Sequence, residues 1–239
     1  METLIRQWAW CVILVLLVLA QGGAAQEEGS AERAGRKQVS PAGDANDPNE
    51  LWWRKWDASV RDPNDPNELL EAKWNAVLKI LQAKDVEQKI KERIIDKVVS
   101  PLFDFPLMGR LALGRTHWPK LDAAQREKFI KLFVVRLKAL YLKKTALYTN
   151  QEFSLKRGVQ RRNTIRIPML LTSDDREIAI LYKLRRLDEP DKADERWKIY
   201  DVEIQGVSIL LTYRSQFDDI LRRGSVQDLL AQLEKPPSQ

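Results

Sequence analysis

The chain has almost none of the residues on which catalytic and metal-binding proteins rely: of 239 residues, one is cysteine and one is histidine. The cysteine, Cys11, lies inside an apolar run and follows Trp10, where a lipoprotein cleavage site would need a small residue. Beyond that run there is no thiol, which excludes a disulfide framework and thiolate chemistry. The lone His117, in "GRTHWP", excludes a His-rich metal site and leaves a Ser-His-Asp triad hanging on one turn residue, so a surface or structural role is expected for it. Long apolar runs are scarce too. The longest, "WAWCVILVLLVLA" from Trp8 to Ala20, has thirteen residues, short of the roughly 20 that cross a bilayer as a helix. Arg6 precedes it and Gly23-Ala24-Ala25 follows it, so residues 1–25 are read as a cleavable signal peptide of an exported protein. Without a disulfide, such a protein is held by its core alone, and about 170 patterned residues suffice for one domain.

Charge of one sign is also missing as a dominant feature. The 40 basic and 34 acidic side chains leave +6, and residues 1–25 remove one of each. That balance leans toward anionic headgroups, and no nucleic-acid motif accompanies it. From Gln26 to about Asn46 large apolar residues are nearly absent, as in a flexible leader. A near-repeat follows, "NDPNELWWRKW" at Asn46 and "NDPNELLEAKW" at Asn64, each reading as a helix start with an Asp cap, Pro at the first helical position and Glu at the third: Asp47, Pro48, Glu50, then Asp65, Pro66, Glu68. The first copy carries Trp52, Trp53 and Trp56 and is soon cut by "RDPNDP". The domain plan is a signal peptide over 1–25, a polar leader with a short Trp-rich helix over 26–64, and a folded domain over 65–236.

Within that domain, the second copy continues with Leu70, Trp74, Val77, Leu78 and Leu81 on one helical face. Asp85 with Gln88, the stretch from about Pro106 to a stop at Gly114, and Asp122 with Gln125 mark three further helices, the last with the stripe Phe129, Phe133, Leu137, Leu140, Tyr141 and Leu147. After Asn150 the period falls to two, giving four strands. Ile165, Ile167 and Met169, then Ile178, Ile180, Tyr182 and Leu184, then Tyr200, Val202 and Ile204 are expected on like faces. Gly206 should turn the chain sharply, with Ser208 capping a helix, and Ser225 with Asp228 opens the last one. Helices, four antiparallel strands, then helices is an α+β class with helices on one face of the sheet.

In order along the chain, "PLFDFPLMGRLALGRTHWPKLDAAQREKF", "ILYKLRR", "WKIYDVEIQGVS", "YRSQF" and a closing "G-x-x-x-L-x-x-L" resemble the MlaC family, also called the toluene-tolerance auxiliary component family, over about residues 68 to 235. The resemblance implies a periplasmic phospholipid carrier with a cone-like sheet related to nuclear-transport-factor-2-like folds and acyl chains in a cavity between sheet and helices. It implies exchange with an outer-membrane lipoprotein complex and with an inner-membrane ABC transporter bearing an MCE-domain subunit, in a system that maintains outer-membrane lipid asymmetry. A related branch, HpnM, is associated with hopanoids, so hopanoid-linked lipid transport is the alternative cargo. The chain is expected to act as a monomer without cofactor or metal.

A carrier needs an enclosed wall, because exposing two acyl chains of about 15 methylenes each costs on the order of 20 kcal/mol. The candidate wall is Ile165, Ile167, Met169, Ile178, Ile180, Tyr182, Tyr200, Val202 and Ile204 opposite Phe129, Phe133, Leu137, Leu140 and Tyr141, with Leu210 and Tyr213 laid over it. Core packing is the competing reading for each. Arg162, Lys183 and Arg214 are the leading headgroup candidates among the basic residues near the hairpins. Two other functions compete. An isomerase-like enzyme would use Tyr182, Tyr200 and Asp201, but alternation sets Asp201 opposite Tyr200. An envelope interaction module would use the basic surface and the Trp cluster.

Overall fold

The computed structural model describes residues 62, 64–142, 152–173, 176–188 and 196–235, without the side chains of 140–142, 173 and 176. The signal peptide, nearly all of the leader, and the first repeat copy with its three tryptophans lie outside the described residues.

Helix α1 (Pro66–Gln82) starts at the second repeat copy. The Asp65 carboxylate accepts from the Asn67 N–H at 2.8 Å, and Pro66 occupies the first turn. The capping box expected from Glu68 does not form. The Asp65 N–H already donates to the Asp62 carbonyl at 3.0 Å, and Glu68 Oε2 instead accepts from the Asp62 N–H at 3.0 Å. Helix α2 (Gln88–Val99) begins after Glu87 without a side-chain cap, so Asp85 stands outside it, and a 3-10 turn at Ser100–Leu102 follows it. Helix α3 (Phe105–His117) is capped by Asp104, which accepts from the Leu107 N–H at 3.0 Å. Gly114 is a kink rather than the expected stop: it adopts φ 67° and ψ −177°, and the helix resumes to His117. Helix α4 (Ala123–Leu142) opens on the reciprocal Asp122–Gln125 box, with bonds of 2.8 and 3.0 Å.

The sheet has six antiparallel strands, not four: β1 (Glu152–Leu155), β2 (Val159–Arg161), β3 (Thr164–Ser173), β4 (Arg176–Arg186), β5 (Trp197–Ile204) and β6 (Val207–Ser208). The order is β1-β3-β4-β5-β6, and β2 pairs with β3 beyond the end of β1. The two strands absent from the sequence reading carry no periodic signal. All three residues of β2 are exposed, and β6 has two residues. Gln205 (φ 50°) and Gly206 (φ 78°) make a two-residue hairpin turn with both central φ positive, the form that suits strand twist. Hence the chain runs through β6 before helix α5 (Ile209–Arg223), whose cap is Ser208 Oγ accepting from the Leu211 N–H at 3.1 Å. Helix α6 (Val226–Glu234) opens on the full Ser225–Asp228 capping box.

Two cores result. One is helical, with Met108, Leu113, Phe129, Phe133, Phe217 and Leu229 from α3 to α6 at its centre. The other joins the inner face of the sheet to Leu69 and Leu70 of α1 and to Leu102. Phe103 and Ile209, both half-buried, pack against both.

Candidate functional site

The inner face of the sheet is set by register. On β3, Ile165, Ile167 and Met169 are buried, cross-strand from Leu184, Tyr182 and Ile180 of β4. On β5 the alternation slips. Lys183 pairs with Asp201 but Leu184 pairs with Ile199, which makes Tyr200 an extra residue on the bulged strand. Directly paired residues share a face, so Val202 and Ile204 lie beside Tyr182 and Ile180, and beyond the bulge the inner face continues through Ile199 and Trp197. Tyr200, expected on the face of Val202, is therefore out of phase and belongs to neither core. A bulge cannot be read from strict period-two patterning, which is why Trp197 and Ile199 were missed and Tyr200 taken.

Helix α1 covers this face. Leu69 and Leu70 are fully buried against it, and the Trp74 indole Nε1–H donates to Tyr182 Oη at 3.1 Å. The Trp74 ring lies 5.8 Å from that of Phe153 on β1. Burial holds the Tyr182 phenol well above its ordinary range, against the opposing pull of the Trp74 hydrogen bond. Trp74, Phe153, Leu171, Ile180 and Ile204 are only half-buried and form the rim of the face. Ile178 is buried near the start of β4, cross-strand from Leu171. Gly158, between β1 and β2, must be glycine. A Cβ there would stand 2.7 Å from Ile165 Cδ1, and its N–H donates to Asn67 Oδ1 of α1 at 3.0 Å.

The α4 stripe does not oppose this face as expected. Phe129 and Phe133 stack at 5.7 Å and meet Phe217 edge-on at 5.5 and 5.9 Å, while Tyr213 meets Phe133 edge-on at 5.1 Å. With Leu137 and Leu210 they belong to the helical core. The side chains of Leu140 and Tyr141 lie outside the described residues. Aromatic spacing showed that α4 has a buried stripe but not which layer the stripe faces.

The three headgroup candidates separate. Lys183 points to the outer face, bonded to Asp201 Oδ2 at 3.0 Å and to Glu203. Burial pulls its pKa down, and the two carboxylates outweigh this to raise it. Arg214, on α5, donates from Nε to the Leu111 carbonyl at 2.9 Å in the helical layer. Arg162 is exposed in the β2–β3 turn with φ 54°. Asp201, the acid of the enzymatic reading, is buried and fully engaged. It accepts from Ser208 Oγ at 2.8 Å and the Leu210 N–H at 3.3 Å besides Lys183, tying β5 to the start of α5. His117 Nε2 is 2.8 Å from Asp218 Oδ1 and joins α3 to α5, a structural role. The outer face of the sheet carries Pro168, Leu170, Ala179 and Leu181 beside a cavity of about 270 Å³ between Lys156 and Glu203.

Fold and site together define an α+β domain of the open-sheet-with-helices class, organised around an apolar sheet face under helix α1 with a half-buried aromatic rim. The family model described as "MlaC protein" matches residues 71–235, and the chain belongs to that family. It is 25% identical over 150 residues, 61% of this chain and 68% of the other, to the intermembrane phospholipid transport system binding protein MlaC of Haemophilus influenzae. In structure it resembles the phospholipid-binding protein of Ralstonia solanacearum, solved in complex with a phospholipid, with a TM-score of 0.61 and 22% identity over 71% of this chain and 95% of that one. The second likeness speaks to the fold.

Proposed function

We propose that this chain carries phospholipid between membranes, binding the acyl chains along the inner face of the sheet. Membership of the MlaC family, one of whose members is named for intermembrane phospholipid transport, is the observation that carries the reading. The face supplies the chemistry: an unbroken apolar surface from Ile165 to Val202, closed on one side by α1 and ringed by half-buried Trp74, Phe153 and Ile204. Transfer of each methylene from water is worth about 0.8 kcal/mol, so such a surface competes with a bilayer only if the whole of both chains is covered. Rim residues are the natural entry because they are the ones already partly open. The headgroup stays outside, where exposed Arg162 is available to phosphate.

In this reading the protein works in the periplasm, receives and delivers lipid at an outer-membrane lipoprotein complex and at an inner-membrane ABC transporter with an MCE-domain subunit, and maintains outer-membrane lipid asymmetry. It acts as a monomer, without cofactor, metal or catalytic step. The test is native mass spectrometry of the full chain expressed with its own leader in a Gram-negative periplasm. Co-purified phospholipid is expected; protein that is consistently empty overturns the reading, and a bound hopanoid replaces the cargo with the HpnM-like alternative.

A further inference from the structure

A second recess lies in the helical layer, formed by the C-terminal turns of α3 and the exposed side of α5. Its volume is about 520 Å³, and Gly114, Arg115, Thr116 and His117 face Leu211, Arg214, Ser215, Asp218 and Arg222 across it. Three guanidiniums line it against a single carboxylate. That carboxylate is shared, since Asp218 holds both His117 and Arg222. Arg115 has no partner among the described residues, and Arg214 spends Nε and Nη2 on one carbonyl, leaving Nη1 without a partner among the described residues. Gly114 lies against Arg214, whose Nε is 3.4 Å from where a Cβ would stand. Beside these cations sits Leu211, 58% exposed and one of the most exposed large apolar side chains described.

Cations that are all arginine suit carboxylates, which they grip two bonds at a time. A flat bilayer presents phosphates to protruding side chains, whereas a recess is filled by a protruding segment. A free phosphate would leave the Leu211 side uncovered. We propose that the groove between α3 and α5 is a docking site for an acidic segment of a protein partner, whose carboxylates meet Arg115, Arg214 and Arg222 while an apolar side chain covers Leu211. The surface belongs to the helical core, away from the sheet face assigned to lipid, so a partner seated there leaves that face and its rim free. It is also continuous with the first turn of α5, where Ile209 touches both cores. The docked segment thus grips the element that joins the lipid face to the rest of the domain.

The test uses the full mature chain and a fluorescein-labelled helical peptide bearing glutamates and leucines at i, i+4 spacing, read by fluorescence anisotropy. Saturable binding is expected, weakened about tenfold by Arg115→Glu, as for a close charge pair at an interface. Leu211→Ser should weaken it as well, and Arg93→Glu on α2, with the same change of charge, should not. Circular dichroism establishes that each variant is folded. No saturable binding, or equal binding by Arg115→Glu and Arg93→Glu, overturns the proposal. So does displacement of the peptide by millimolar inorganic phosphate, or loss of binding to phosphatidylglycerol vesicles by Arg115→Glu with peptide binding intact. Lipid content of the same samples, measured by native mass spectrometry, separates this proposal from the carrier reading, because peptide binding by lipid-free protein supports docking while counting against carriage.

Discussion

At the scale of single residues, the contact between Trp74 and Tyr182 shows how a polar group is admitted to an apolar face. Tyr182 is 7% exposed, and among the described residues its hydroxyl has one partner, the Trp74 indole at 3.1 Å. A buried hydroxyl that loses its partner costs about 1–3 kcal/mol, while removing both groups is nearly neutral. Trp74→Phe is therefore expected to lower stability by about that amount, and Trp74→Phe/Tyr182→Phe to recover most of it, in urea denaturation. Equal losses in the single and double variants would assign the effect to ring packing instead. The measurement bears on the proposed function, because this bond fastens α1 to the sheet face.

At the scale of elements, some helix ends were legible and layer assignment was not. The Asp122–Gln125 and Ser225–Asp228 boxes form as their spacing indicates, since a cap is a local interaction whose partners lie within four residues. Glu68 was diverted because the Asp65 N–H is spent on the Asp62 carbonyl, while the Asp62 N–H, outside the motif, was open to it. The Tyr200 bulge and the separation of the α4 stripe from the sheet depend on contacts distant in sequence, and nothing in a window of ten residues records them. Of the candidate wall, Ile165, Ile167, Met169, Tyr182 and Val202 share one face because alternation held along β3, β4 and the far end of β5. Gly114 tests how far one element depends on a single residue. Its φ of 67° with ψ of −177° lies in a region that is essentially glycine's alone, and a side chain there costs about 1–3 kcal/mol. Gly114→Ala is expected to lower the thermal midpoint; an unchanged midpoint would show that the α3 kink is relaxed without cost.

At the scale of the molecule, two cores are joined by few side chains, and this decides how the domain comes apart. Phe103 stacks on Phe105 with centroids 5.6 Å apart, pairs through its backbone with Ile199 of β5, and packs against both cores. The next residue reinforces the joint: the Asp104 N–H donates to the Ile199 carbonyl at 2.8 Å, and its carboxylate pairs with Arg185 while capping α3. Truncating a fully buried Phe costs about 3–5 kcal/mol, and a half-buried one correspondingly less, on the order of 2 kcal/mol. The sheet core and the helical core each keep their own buried residues when Phe103 is removed, so the loss falls on their coupling. In Phe103→Ala, native-state hydrogen exchange should show the amides of β3 and β4 and those of α4 opening with different free energies, where the unmodified protein opens them together. For the proposed carrier role such a seam would serve the entry of acyl chains, since separation there leaves both cores intact. If β4 and α4 lose protection equally in Phe103→Ala, the two cores are one cooperative unit and the sheet face does not part from the helices at Phe103.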